Sequence, residues 1–197
     1  MAKDQMFSQM RQAALSRLAG RDPNELARNT GMDYDDGTKA FRFRTLGIDT
    51  AVQYPDYTFS PKLPEWHALV ILHCMDLADG TPVTGREIPF AQMKSGMVRG
   101  GGIDRKCELA IQNMSSLSRE SLAEICERIG GEQVDSHADV AYRFSFLPRF
   151  PATLKIWLAD EDFPTSGRLF VDASADHYLT IEDAVTVAEI IIEAIHP

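Results

Sequence analysis

The change of hydrophobic period along this chain constrains its fold most. From Val140 onward the apolar residues alternate or run in short blocks: Val140 to Phe146, Thr153 to Leu158, and Arg168 to Val171. Such runs in succession, the first two separated by Pro148 and Pro151, read as neighbouring strands. Ahead of them the spacing is mostly helical. Met6, Met10, Ala13, Ala14 and Leu18 recur at helical intervals over residues 3 to 19, and Gly20 stops that helix. Asp22-Pro23-Asn24-Glu25 supplies a cap, a proline at the first helical position and a capping-box acid, and Gly31 closes the short helix. Ala40 to Arg44 alternates like a half-buried strand, and Leu46 to about Tyr54 forms its partner; Pro55 to Pro61 is a loop.

Pro64 opens a helix that runs to Asp79-Gly80. Trp66, Leu69, Val70, His73 and Leu77 make its stripe, and Ile71, Leu72, Cys74 and Met75 leave so little polar face that burial on most sides is expected. Thr81 to Phe90 is a turn with a short extended piece. Ser95 to Gly102 is rich in glycine and reads as a mobile loop before a helix from about Ile103 to Met114. A Ser118 cap starts another helix, ended by Gly130-Gly131, and Thr180 with Glu182-Asp183 caps an apolar final helix. Strands fall in groups rather than alternating strictly with helices. The expected fold is therefore α+β, a single domain over residues 1–197 with an antiparallel or mixed sheet flanked by helices. Residues 1–31 form its N-terminal helical segment and 40–197 its body.

Composition narrows the function classes. Acidic residues number 29 against 20 Lys plus Arg, for a net charge of −9, and no basic stripe is present to replace phosphate counterions. A nucleic-acid role is disfavoured. The N-terminus lacks the apolar core of a signal peptide and no apolar run is long enough to span a bilayer, which points to the cytoplasm and away from a membrane. Cys74, Cys107 and Cys126 are too widely spaced for a Cys-x-x-Cys pair, so no iron–sulfur motif is present.

The chemistry-bearing stretch is Trp157-Leu158-Ala159-Asp160-Glu161-Asp162-Phe163-Pro164, with Asp172 following the next strand. Hard divalent cations take several oxygen ligands, so Asp160, Asp162 and Asp172 are the candidate metal set, and Asp160, Glu161, Asp162, Asp172 and Arg99 the candidate ligand-binding set. The preferred competing reading is a solvated turn, whose Asp side chains accept from backbone amides. His73, on the apolar stripe, and His177, between Asp176 and Tyr178, are weak candidates for moving a proton, weighed against a hydrogen-bonded core histidine and an exposed turn. Arg99 and the glycine loop could cover the site.

Several motifs together resemble a prokaryotic domain-of-unknown-function family found mainly in anaerobes. They are Asp79-Gly80-Thr81-Pro82-Val83-Thr84-Gly85 (Asp-Gly-x-Pro-x-Thr-Gly), Leu147-Pro148-Arg149, Trp157 with Asp160-Glu161-Asp162-Phe163-Pro164 (Trp-x-x-Asp-Glu-[Asp/Glu]-Phe-Pro), and Leu179 with Glu182-Asp183. Asp162 stands where the family pattern has Glu, and Gly96 to Gly100 where it has an aromatic. The resemblance implies an accessory role in anaerobic metabolism and assigns no activity.

Three functions follow as expectations. The first is an accessory protein binding a small molecule, cofactor or protein partner. The second is a divalent-metal-dependent enzyme built on Asp160, Asp162 and Asp172. The third is a homo-oligomeric scaffold that uses the Ile-rich final helix.

Overall fold

Met10, Ala14 and Leu18 share one side of helix α1 (Ala2–Leu18) in the computed structural model, which describes residues 2–195. Ala14 and Leu18 are buried where α1 packs on α3 (Glu65–Leu77). Between them, α2 (Pro23–Thr30) starts at Asp22, whose side chain accepts from Asn24 N at 3.1 Å, and ends at Gly31 with φ 76°. Glu25 pairs with Arg21 at 3.1 Å rather than closing a capping box.

Two antiparallel sheets follow, where one sheet was expected. The first is a meander of β1 (Asp33–Asp35), β2 (Ala40–Thr45), β3 (Ile48–Gln53) and β4 (Thr58–Ser60). The edge strands β1 and β4 have three residues each, too short to show a period, and β4 replaces part of the expected Pro55–Pro61 loop. The second sheet has the order β5 (Glu87–Pro89), β9 (Ser166–Asp172), β8 (Phe150–Trp157), β7 (Val140–Leu147), β6 (Glu132–Gln133). In β7 the alternation of buried Tyr142, Phe144 and Phe146 with exposed Arg143 and Ser145 is the period-2 pattern of a half-covered strand. The sheets meet where Leu46 N donates to Ser145 O at 3.1 Å.

Helix α4 (Gly96–Asn113) packs on β9 and on α6 (Ile181–Ile195), α6 also packs on α3, and α5 (Arg119–Arg128) begins at the Ser118 cap. One continuous apolar cluster runs from α1 through both sheets to α6. Ile181, Val187, Ile191, Ile192 and Ile195 are all buried in it, so the main apolar stripe of the final helix faces its own core.

The glycine-rich stretch, expected as a mobile loop, is instead the first two turns of α4. Gly96, Gly100, Ile103, Cys107 and Ile111 form its buried stripe. A Cβ on Gly100 would lie 2.4 Å from Ala91 N and Phe90 C, so only glycine lets this turn press on the backbone of the short 3-10 segment Phe90–Gln92.

Candidate functional site

Antiparallel pairing decides where the acidic residues go. In the β8–β9 register Trp157 faces Ser166 at one edge and Ala152 faces Val171 near the other. Asp160, three residues beyond Trp157, therefore lies past the first edge, while Asp172 ends β9 at the second. Six residues of strand separate Ser166 from Asp172, roughly 20 Å. The proposed metal set of Asp160, Asp162 and Asp172 is not brought together, because consecutive antiparallel strands end at opposite edges. Among the described residues no group of three His, Cys, Asp or Glu side chains is placed to hold a metal ion.

Asp160 builds a turn. Its Oδ1 accepts from Asp162 N at 2.9 Å and Phe163 N at 2.8 Å, and these two backbone donors lower its pKa. Glu161 and Asp162 are exposed on the same turn. Arg99 does not cover either carboxylate; its Nε pairs with Glu182 at 3.2 Å on α6.

Asp172 is a structural anchor. Only 6% exposed, it accepts from Thr84 N at 3.0 Å, Thr84 Oγ1 at 2.9 Å, Ser174 N at 2.9 Å and Ser174 Oγ at 2.7 Å. Burial alone raises its pKa, but these donors outweigh it and the net shift is downward. The Asp79–Arg86 loop is thereby fastened to the end of β9. Its other end is held by Arg149 Nη1 on Gly80 O at 2.7 Å, by Tyr178 OH on Thr81 O, and by His177 Nδ1 on Asp79 Oδ2 at 2.7 Å. Hydrogen bonds from His177 and Thr81 bring the Asp79 pKa down to about 2. Two of the sequence motifs, Asp79–Gly85 and Leu147-Pro148-Arg149, thus meet in one clasp. His177 pairs with Asp79 rather than with the Asp172 group.

His73 Nδ1 lies 2.7 Å from Asp183 Oδ1, and Asp183 Oδ2 accepts from Thr180 Oγ1 at 2.9 Å in the cap of α6. This pair ties α3 to α6. Burial pushes all three cysteine thiols up, Cys126 to about 12, which leaves no reactive thiolate at neutral pH.

What the motif presents to solvent is apolar. Trp157 and Phe163, 38% and 71% exposed, flank a groove of about 430 Å³ that Glu108, Gln112, Asp139 and Asp160 also line. No Lys, Arg or His lines it, and none of its lining residues is buried. The groove continues onto α4, whose outer residues Val98, Gly102, Arg105, Leu109 and Gln112 recur at helical spacing on one face. Met97 and Val98 are 88% and 86% exposed at the start of that face. Among the described residues, five of the nine exposed large apolar side chains (Met97, Val98, Leu109, Trp157, Phe163) lie on α4, at the end of β8 and on this turn. Sequence reading missed this face because the glycines hid the first turns of α4. The helical interval from Val98 to Leu109 was the available signal.

The geometry defines a small α+β protein with a polar clasp on one edge of its second sheet and an exposed aromatic turn on the other. The chain belongs to the family described as Domain of unknown function (DUF3786), whose model matches residues 22–194, from the Asp22 cap into the last turn of α6. No curated protein and no solved structure matches the chain.

Proposed function

We propose that this protein is a non-catalytic, single-domain accessory protein whose α4 and Trp157–Pro164 face docks a protein chain. The observation that carries this reading is the open groove flanked by exposed Trp157 and Phe163. Small-molecule sites enclose most of their ligand, whereas this groove has no buried wall, and aromatic side chains left on a surface are the usual anchors of protein contacts. His73 and His177 each direct Nδ1 to a carboxylate that belongs to a cap or a clasp, so each pair has a structural role of its own. The proposed setting is the cytoplasm of an anaerobic prokaryote, a reading supported by the resemblance of the motifs and by the absence of any described helix long and apolar enough to cross a membrane.

Native mass spectrometry of the protein isolated from its source cells tests the proposal, run beside a Trp157→Ala, Phe163→Ala double variant. Wild type is expected to retain a second protein chain, its own or another, and the variant to lose it with circular dichroism unchanged. A bare wild-type chain overturns the reading. So does a retained metal or small molecule that the two substitutions leave in place.

A further inference from the structure

We infer that residues 95–102 form a strap that unwinds as a unit about Gly101-Gly102 while the rest of α4 stays packed on the sheet. This device lies in the fold itself and does not depend on what the outer face of α4 docks.

The strap contributes no side chain to the core. Its buried positions are Gly96 and Gly100, whereas Ser95, Met97, Val98, Arg99, Gly101 and Gly102 are exposed. Buried side chains begin at Ile103 and continue with Cys107 and Ile111. Unwinding the strap gives up its backbone contact with Phe90 and Ala91 but exposes no buried side chain of its own. A segment with so few buried apolar contacts opens locally, well below the cost of global unfolding.

Local signals oppose the helix here. Ser95 holds φ 61° and makes no side-chain cap hydrogen bond, and no acid stands in the first turn. Arg99 puts a cation near the positive end of the helix dipole. Gly100, Gly101 and Gly102 each add the entropy cost of glycine in a helix. Two ties hold the strap closed. Just before it, Lys94 N donates to the Asp176 carboxylate at 3.0 Å, which fixes its foot. Arg99 Nε pairs with Glu182 at 3.2 Å on α6, and this ion pair, exposed on both sides, is the latch.

Asp104 gives the open state a structure of its own. In the closed helix its Oδ1 is buried without a hydrogen-bond partner among the described residues. Burial raises the pKa of this carboxyl, against the pull of Arg168. Helical side chains lean towards the N-terminus, which sets Asp104 over the turn of Gly100 and Gly101. Once that turn unwinds, the helix begins near Ile103, and Asp104 becomes an acid of its first turn beside freed backbone N–H groups. The closed helix strands the carboxylate and the open one satisfies it. Ser95 and Glu182 both line a cleft of about 330 Å³ that Leu77, Leu179 and Thr180 continue, so release of the strap widens this cleft.

Amide exchange, read residue by residue on the intact protein, tests the strap. The amides of Gly100 to Ile103 are expected to exchange at least about a hundredfold faster than those of Cys107 to Ile111 in the same helix. Glu182→Gln removes the charge from the latch and should quicken the first group about twofold, leaving the second unchanged. Asp104→Asn, matched in size and helix propensity, removes the stranded charge from the closed state and the first-turn acid from the open one. It should slow the first group about threefold. Equal protection along the whole helix overturns the inference, as does a strap whose exchange is indifferent to both substitutions or quickens in Asp104→Asn.

Discussion

The imidazole of His67 lies on the ring of Phe146, centroids 4.7 Å apart and planes within 25° of parallel, with Nε2 2.7 Å from Thr45 Oγ1. This stack sits where α3 meets both sheets, and His67 is 3% exposed. Burial depresses its pKa from 6.5 to about 4, so the ring is neutral in the folded protein at physiological pH. The unfolded chain binds this proton at pH 6.5 and the folded one only near 4, so acid favours unfolding within that window. Stability is at its full value above pH 6.5 and falls as pH drops towards 4, by on the order of 3 kcal/mol in total. Urea unfolding at pH 7 and at pH 5 should show the loss. His67→Phe, which keeps an aromatic ring beside Phe146, should flatten the dependence; an unchanged pH slope in that variant would show that His67 is not its source.

Asp172 is a buried anion held by hydroxyl and amide donors. Asp172→Ala removes Oδ1, the oxygen to which Thr84 N, Thr84 Oγ1, Ser174 N and Ser174 Oγ all donate, and leaves these donors without their acceptor. The expected cost is about 2 kcal/mol, from the general penalty for unsatisfied buried polar groups. Because the clasp lies at the opposite edge of the sheet from Trp157, the variant should lose urea resistance while the fluorescence of Trp157, read in a Trp66→Phe background, stays unchanged. A shift in that fluorescence would mean that the two edges are coupled.

Neighbouring glycines of α4 should respond in opposite directions. Gly100→Ala places a methyl 2.4 Å from the backbone of Phe90 and Ala91, which forces the 3-10 segment off the helix. A destabilisation of about 1–3 kcal/mol is expected, the general range for overpacking. Gly101→Ala meets open space and removes the entropy cost of glycine in a helix, for a gain of about 0.5–1 kcal/mol. Thermal unfolding at low micromolar concentration measures both. Equal effects would contradict the packing described for this turn.

Those glycines also mark the boundary of what the sequence could reveal. Alternation in Val140–Phe146, helical spacing in Pro64–Leu77 and the caps at Asp22, Ser118 and Thr180 each announce an element, because local geometry and burial agree there. Residues 96–102 announce nothing. Glycine is unfavourable in an isolated helix, and Ser95 precedes α4 with φ 61° and no side-chain cap hydrogen bond, so this helix start owes its existence to contact with Phe90 and Ala91. The acidic residues mislead for a different reason. Asp160 and Asp172 each follow a strand, but strand direction is a property of the sheet, and antiparallel pairing sends them to opposite edges. Trp157 and Phe163 were visible as a motif from the start. Their exposure depends on the Asp160 turn and on α4 beside it, neither of which a single segment specifies.

The Asp160 turn supplies the last prediction, since it separates the roles of carboxylate and charge. Asp160 Oδ1 holds Asp162 N and Phe163 N, and Asp160 N in turn donates to Phe163 O at 3.0 Å, so Phe163 is fixed to Asp160 through both of its backbone polar groups. An asparagine can make the same side-chain bonds; an alanine cannot. Asp160→Asn should therefore leave Phe163 in place, and Asp160→Ala should release it. If the face docks a protein chain by fitting aromatic side chains into a partner, Asp160→Ala should weaken that association about tenfold, and Asp160→Asn by less than threefold, the difference reflecting pre-organisation. Amide exchange at Asp162 and Phe163 should quicken in Asp160→Ala alone. A pattern in which both variants weaken association equally would assign Asp160 a direct electrostatic contact with the docked chain, with the turn as bystander.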